Sequence, residues 1–176
     1  MNIELRRQAM DSNDEKIIYL ARNLICDGKT AYDIGFKPFS SQDINTDFKI
    51  SIRVSSFTPT TGSNNQDVIF GCKYEGTLNG MQWPGIYFRN TSSTTFDVGG
   101  YNYYKPKKTS VIGNTLYLWR IDGKYYAKIN NNSATSLSVR STQFDQPLII
   151  GAGLQTNGTY FRYSTCVIDY VRIEYL

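Results

Sequence analysis

Tyr117, Trp119 and Tyr126, set among Lys124 and Lys128, and the run Tyr101, Tyr103 and Tyr104 ahead of Lys105, Lys107 and Lys108 carry the chemistry that residue type and spacing offer here. That chemistry is recognition. Aromatic faces stack on the C–H faces of sugar rings or pack against protein, and neighbouring ammonium groups bond hydroxyls or anions. Trp83, beside Pro84, is a further candidate ring, for which loop packing is the plainer account.

Bond-breaking chemistry lacks its parts. The chain has no histidine, which removes Ser-His-Asp and Cys-His catalysis, most zinc enzymes and any imidazole base. Sandwich-fold glycosidases set two carboxyl groups about 5 Å apart on alternate residues of one strand, and the 15 Asp and Glu residues contain no such pair. There is no phosphate-binding glycine loop and no EF-hand loop. The expectation is a protein that is not an enzyme and has no cofactor. A calcium ion held by Asp97 or Asp122 with Asn130 to Asn132 stays open as an alternative, although Asp and Asn in loops more often form turns. Cys26, Cys72 and Cys166 show no C-x-x-C spacing and are expected as buried, reduced thiols of a protein made in the cytoplasm.

The aromatic residues must be positioned by strands. With 14 Tyr, 9 Phe and 2 Trp among abundant Ser, Thr, Asn and Gly, the 176-residue chain favours strands and turns. In TLYLWRIDGKYYAKIN (115 to 130), Asp122-Gly123 between two strand-like runs predicts a two-residue type I′ hairpin. That register opposes Trp119 to Tyr126, Tyr117 to Lys128 and Arg120 to Tyr125. It gives one core face of Leu116, Leu118, Tyr125, Ala127 and Ile129, and a second face carrying Tyr117, Trp119 and Tyr126. This second face is either a contact surface or a layer packed under a neighbouring strand or loop.

DFKISIRV (47 to 54) alternates as a half-buried strand with Phe48, Ile50, Ile52 and Val54 inward. Further strands are expected in DVIFGCKY (67 to 74), GIYFRN (85 to 90), TTFDV (94 to 98), KTSVI (108 to 112), PLIIGA (147 to 152), GTYFRY (158 to 163) and CVIDYVRIEYL (166 to 176). Many short strands at this spacing predict an antiparallel sandwich or barrel. The glycines and Pro106 around Tyr101, Tyr103 and Tyr104 place those rings on a loop or edge.

Residues 1 to 15 have helical propensity in IELRRQAM and turn formers after it, and are expected as a short helical arm outside a domain of residues 16 to 176. The arm's Ile3, Leu5, Arg6 and Arg7 are its candidate attachment residues. The net charge of +4 forms no continuous basic stripe, so nucleic acid is not an expected partner. No apolar run is long enough for a bilayer or a signal peptide, so no membrane partner is expected either.

Six stretches in order resemble the concanavalin A-like, laminin G-like jelly-roll family: DGKTAYDIG (27 to 35), DFKISIRV, DVIFG (67 to 71), the hairpin LYLWRIDGKYYAKINN, PLIIGAG (147 to 153) and VIDYVRIEYL (167 to 176). YDIG in place of the family's Y-I-D-T-G, and Cys166 near a usual glycine, are departures. The histidine-containing legume-lectin metal motif is absent. The resemblance implies an all-β, antiparallel two-sheet jelly roll that binds glycan or protein without catalysis. The MNIELRR start resembles small structural proteins of phages and prophages. That implies a virion surface protein of the capsid or tail, made in the host cytoplasm without a signal peptide. Its implied partners are cell-surface or mucosal glycans and, through the arm, other virion subunits, with a homo-oligomer open. The alternatives are a purely structural virion subunit and, further off, a glycan-degrading enzyme of the same fold.

Overall fold

Inward Phe48, Ile50, Ile52 and Val54 and outward Lys49 and Arg53 make residues 48 to 54 the central stretch of a sheet, as their alternation requires. The computed structural model describes residues 17–35, 47–58, 66–74, 86–89, 96–98, 111–137, 148–155, 160–161 and 163–176. All regular elements among them are strands. In order they are β1 (Ile17–Asp27), β2 (Tyr32–Asp33), β3 (Phe48–Thr58), β4 (Gln66–Tyr74), β5 (Ile86–Arg89), β6 (Phe96–Val98) and β7 (Thr115–Ile121). β8 (Lys124–Ile129), β9 (Thr135–Leu137), β10 (Leu148–Ile150), β11 (Gly153–Gln155), β12 (Tyr160–Phe161) and β13 (Thr165–Tyr175) complete the set.

The strands form an antiparallel two-sheet jelly-roll sandwich. One sheet has six strands in the order β1-β13-β3-β7-β8-β9, with every neighbour antiparallel. The other has seven, along β12-β11-β4-β10-β2, with β5 on β4 and β6 on β5. In this second sheet β11 runs parallel to β4 and the remaining pairs are antiparallel. The core lies between the sheets: Ile50, Ile52, Leu116, Leu118, Val171 and Ile173 of the first pack with Ile150 of the second, all essentially without solvent contact. Burying such side chains contributes roughly 1.5–3 kcal/mol each. Ile149, on the other side of β10, packs with Ala152, Ala31 and Tyr163, so this strand is covered on both faces.

Two segments differ from the pattern in the sequence. Residues 17 to 27 form a full edge strand that alternation does not announce, because outward positions carry Leu20 and Ile25 while inward ones carry Ala21 and Cys26. In KTSVI, Val111 has helical backbone and residues 112 to 114 turn. The β-branched run suggests a strand. Instead Val111 is buried in the core, Asn114 N–H donates to its carbonyl at 3.0 Å, and Gly113 takes φ 79° to lead into β7. The expected helical arm and its Ile3, Leu5, Arg6 and Arg7 lie outside the described residues. Among the described residues no helix is long and apolar enough to cross a membrane.

Candidate functional site

The hairpin of β7 and β8 has the register its sequence predicts. Ile121 faces Lys124, Trp119 faces Tyr126, Tyr117 faces Lys128 and Leu116 faces Ile129. Asp122 and Gly123 both take positive φ, 49° and 71°, which is the type I′ geometry that keeps the strand twist continuous. Asn130 closes the open end: its Oδ1 accepts from Thr115 N–H at 3.0 Å and its Nδ2 donates to Asn114 Oδ1 at 2.8 Å. Asp122 and Asn130, raised as calcium ligands, stand in the turn and at the hairpin base. The Asp97 side chain lies outside the described residues. Among the described residues no group of three Cys, Asp or Glu side chains assembles.

On the solvent side of this hairpin the rings meet. Trp119 and Tyr126 stack with centroids 5.5 Å apart and planes 20° from parallel. Lys128 Nζ lies 5.5 Å from the centroid of Tyr117 and 6.0 Å from that of Trp119, within cation–π range. All four side chains are half-buried. Tyr101, Tyr103, Tyr104 and Trp83 lie outside the described residues.

The sheet adds neighbours that only its order reveals. Across β7, β3 and β13 the outward positions align as Trp119, Lys49 and Glu174, then Tyr117, Ser51 and Arg172, then Thr115, Arg53 and Tyr170. Ser51 is the small member at the centre, 5% exposed although it faces outward, because Lys49, Arg53, Tyr117 and Arg172 rise around it. Lys49 Nζ contacts Glu174 Oε1 at 2.6 Å, Arg172 Nη2 contacts Glu174 Oε2 at 2.7 Å, and Arg53 Nε contacts Asp169 Oδ2 at 3.2 Å. The hydroxyls of Thr115 and Tyr170 share a 2.8 Å hydrogen bond that reaches over Arg53 of the intervening strand. Partial burial raises the Glu174 carboxyl, but the Lys49 ammonium and the Arg172 guanidinium outweigh it and hold it below its ordinary value.

Among the described residues Lys49, Arg53, Lys128 and Arg172 stand with Asp169 and Glu174 beside a stacked indole and phenol. The charged half escaped the sequence reading. Strand alternation puts Lys49 and Arg53 outward, but nothing local says that β13 lies on the far side of β3 and brings Arg172 and Glu174.

No protein-family model matches the sequence, and no curated protein matches it. Solved structures do match. The CBM40 of the Ruminococcus gnavus IT-sialidase, bound to α2,3-sialyllactose, aligns with a TM-score of 0.55 over 90% of this chain and 91% of its own, at 13% identity. The two chains share the β-sandwich fold. NanB sialidase from Streptococcus pneumoniae aligns with a TM-score of 0.56 over 90% of this chain and 26% of its own, at 14% identity. The leech intramolecular trans-sialidase gives 0.56 over 91% and 26%, also at 14% identity. This chain therefore spans nearly all of the isolated module and about a quarter of the sialidases.

Proposed function

We propose that this chain is a non-catalytic carbohydrate-binding module that takes an acidic glycan on the outer face of its six-stranded sheet. The observation that carries the reading is the Trp119–Tyr126 stack standing beside the cations that ring Ser51. A sugar ring lies on aromatic faces through its C–H groups, and a carboxylate on that sugar finds Lys128, Lys49 or Arg172 within reach of the same platform. The carboxyl groups on the face are engaged in ion pairs with lysine or arginine, which suits them to orient cations rather than to transfer protons to a glycosidic oxygen. Sialylated glycans are the first class to test, because the R. gnavus module is described as bound to sialyllactose.

The proposed setting on a virion, where many copies would turn weak sites into avidity, rests on the resemblance of the MNIELRR start. The test of the binding reading is a glycan array probed with the full chain and with Trp119→Ala. The expected result is selective retention on sialylated or otherwise acidic glycans, lost in the variant. Retention on no glycan would overturn the reading and favour protein contact for the same face.

A further inference from the structure

We propose that Cys26 and Cys166 are a disulfide-forming pair, a covalent clamp between the first and last strands that is set by thiol–disulfide exchange. The two residues stand directly opposite each other in the antiparallel β1–β13 ladder. Opposed residues of such a ladder are about 4.5–5.5 Å apart at Cα, inside the roughly 4.4–6.8 Å that a disulfide spans. Both side chains point into the core, 1% and 3% exposed. Hydrogen bonding to Cys166, and then burial, push the Cys26 thiol up.

The surroundings confine the two sulfurs. Ser164, fully buried, brings its hydroxyl within 3.6 Å of Cys166 Sγ and 3.4 Å of the Gly151 carbonyl. Gly151 follows β10 of the other sheet, and a Cβ there would lie 3.0 Å from Cys26 Sγ. Two thiols are too few for a structural zinc site, which takes four ligands, and no third metal-ligating side chain joins them among the described residues. The pair lies on the inner face of the sheet, so it has no part in the glycan-binding surface.

Access comes from the edge. Among the described residues β1 is bonded on one side only, its register slips between Ile17 and Tyr19, and Asn23 holds φ 54° in its middle. Edge segments of this kind open locally before the rest of a sheet. The oxidant is a small-molecule disulfide such as oxidised glutathione. One cysteine thiolate attacks its S–S bond, forms a mixed disulfide and expels a glutathione thiolate, which takes up the proton the cysteine gave up. The second cysteine thiolate then attacks the protein sulfur of that mixed disulfide and releases the other glutathione in the same way. The protein thiols lose two electrons and the small disulfide gains them. The bond ties residue 26 to residue 166 and so encloses most of the chain, a long loop whose unfolded state is strongly restricted.

The test uses the full chain in two arms: folded protein exposed to oxidised glutathione, and denatured protein refolded in a glutathione redox buffer. Remaining thiols are alkylated in denaturant and the peptides mapped by mass spectrometry. The expected result in both arms is a cross-link between the Cys26 and Cys166 peptides with Cys72 alkylated, since Cys72 lies in the other sheet opposite Leu148. The Cys72→Ser chain gives the same cross-link. The cross-linked protein melts roughly 5–15 °C higher, reversibly on reduction. Alkylation of both Cys26 and Cys166 in the refolded arm, a persistent mixed disulfide at either, or a bond from either to Cys72 would overturn the proposal.

Discussion

Trp119 on β7 and Tyr126 on β8 are directly opposed, and their rings stack at 5.5 Å on the solvent side of a sheet whose other side is core. A hydrophobic reason for that pairing exists only in part, since neither ring is buried. Aromatic cross-strand pairs contribute roughly 0.2–1 kcal/mol to a sheet, so stability alone would lose little if the pair were replaced. The expected outcome for Tyr126→Ser is a small change in melting temperature, no more than about 4 °C, together with loss of glycan retention. A large melting shift with binding retained would mean that the stack is structural.

The hairpin holds that platform in register, and its turn depends on Gly123 at φ 71°. A β-branched side chain there is strained, at a cost of about 1–3 kcal/mol. Gly123→Val should lower the melting temperature measurably by calorimetry and weaken binding along with it, whereas Gly123→Asn, which tolerates the left-handed region, should be much milder. Equal effects from the two would contradict the type I′ account.

Arg120, set opposite Tyr125 by the hairpin register, is a charged residue inside the core. It sits on the core face at 1% exposure, its guanidinium 5.1 Å from the centroid of Phe48 and 5.9 Å from that of Tyr125, with Nη1 donating to the Tyr125 hydroxyl at 3.4 Å. The alkyl stem fills volume and the planar head lies against both rings. Arg120→Ala should cost about 2–4 kcal/mol in denaturant unfolding, and Arg120→Met, which keeps the stem, distinctly less. Parity of the alanine variant with the native chain would show that this head and stem contribute nothing.

The hairpin was legible because Asp-Gly between alternating runs is a local instruction: it fixed every opposed pair from Leu116↔Ile129 to Ile121↔Lys124. The inward set of β3 was legible for the same reason. β1 was not, since Leu20 and Ile25 face outward at 42% and 64% exposure and blur the period. Strand order across the sheet was not legible either. The binding surface read from sequence was therefore its aromatic half, and the half built by Ser51, Arg53, Arg172 and Glu174 appeared only with the β13–β3–β7 adjacency.

Glu174 gives the fold a pH dependence of definite sign. Its folded carboxyl is depressed: burial raises it, and Lys49 and Arg172 lower it by more. A depressed carboxyl adds stability that is complete above its unfolded value and is lost as pH falls through the folded one. The difference in melting temperature between the native chain and Glu174→Gln should be present at neutral pH and close below about pH 4. A difference that persists unchanged into strong acid would contradict the ion-pair account.

The most direct measurement is calorimetric titration of the full chain with sialyllactose, with lactose as the neutral control, repeated on a Trp119→Ala/Tyr126→Ala variant of unchanged fold by circular dichroism. The account predicts weak saturable binding of sialyllactose, on the order of a millimolar Kd or about −4 kcal/mol. It further predicts that binding weakens as salt is raised, is much poorer for lactose, and is reduced at least about tenfold in the variant, which is about 1.4 kcal/mol. Absence of binding to the native chain, or equal binding by a folded variant without the two rings, would contradict it.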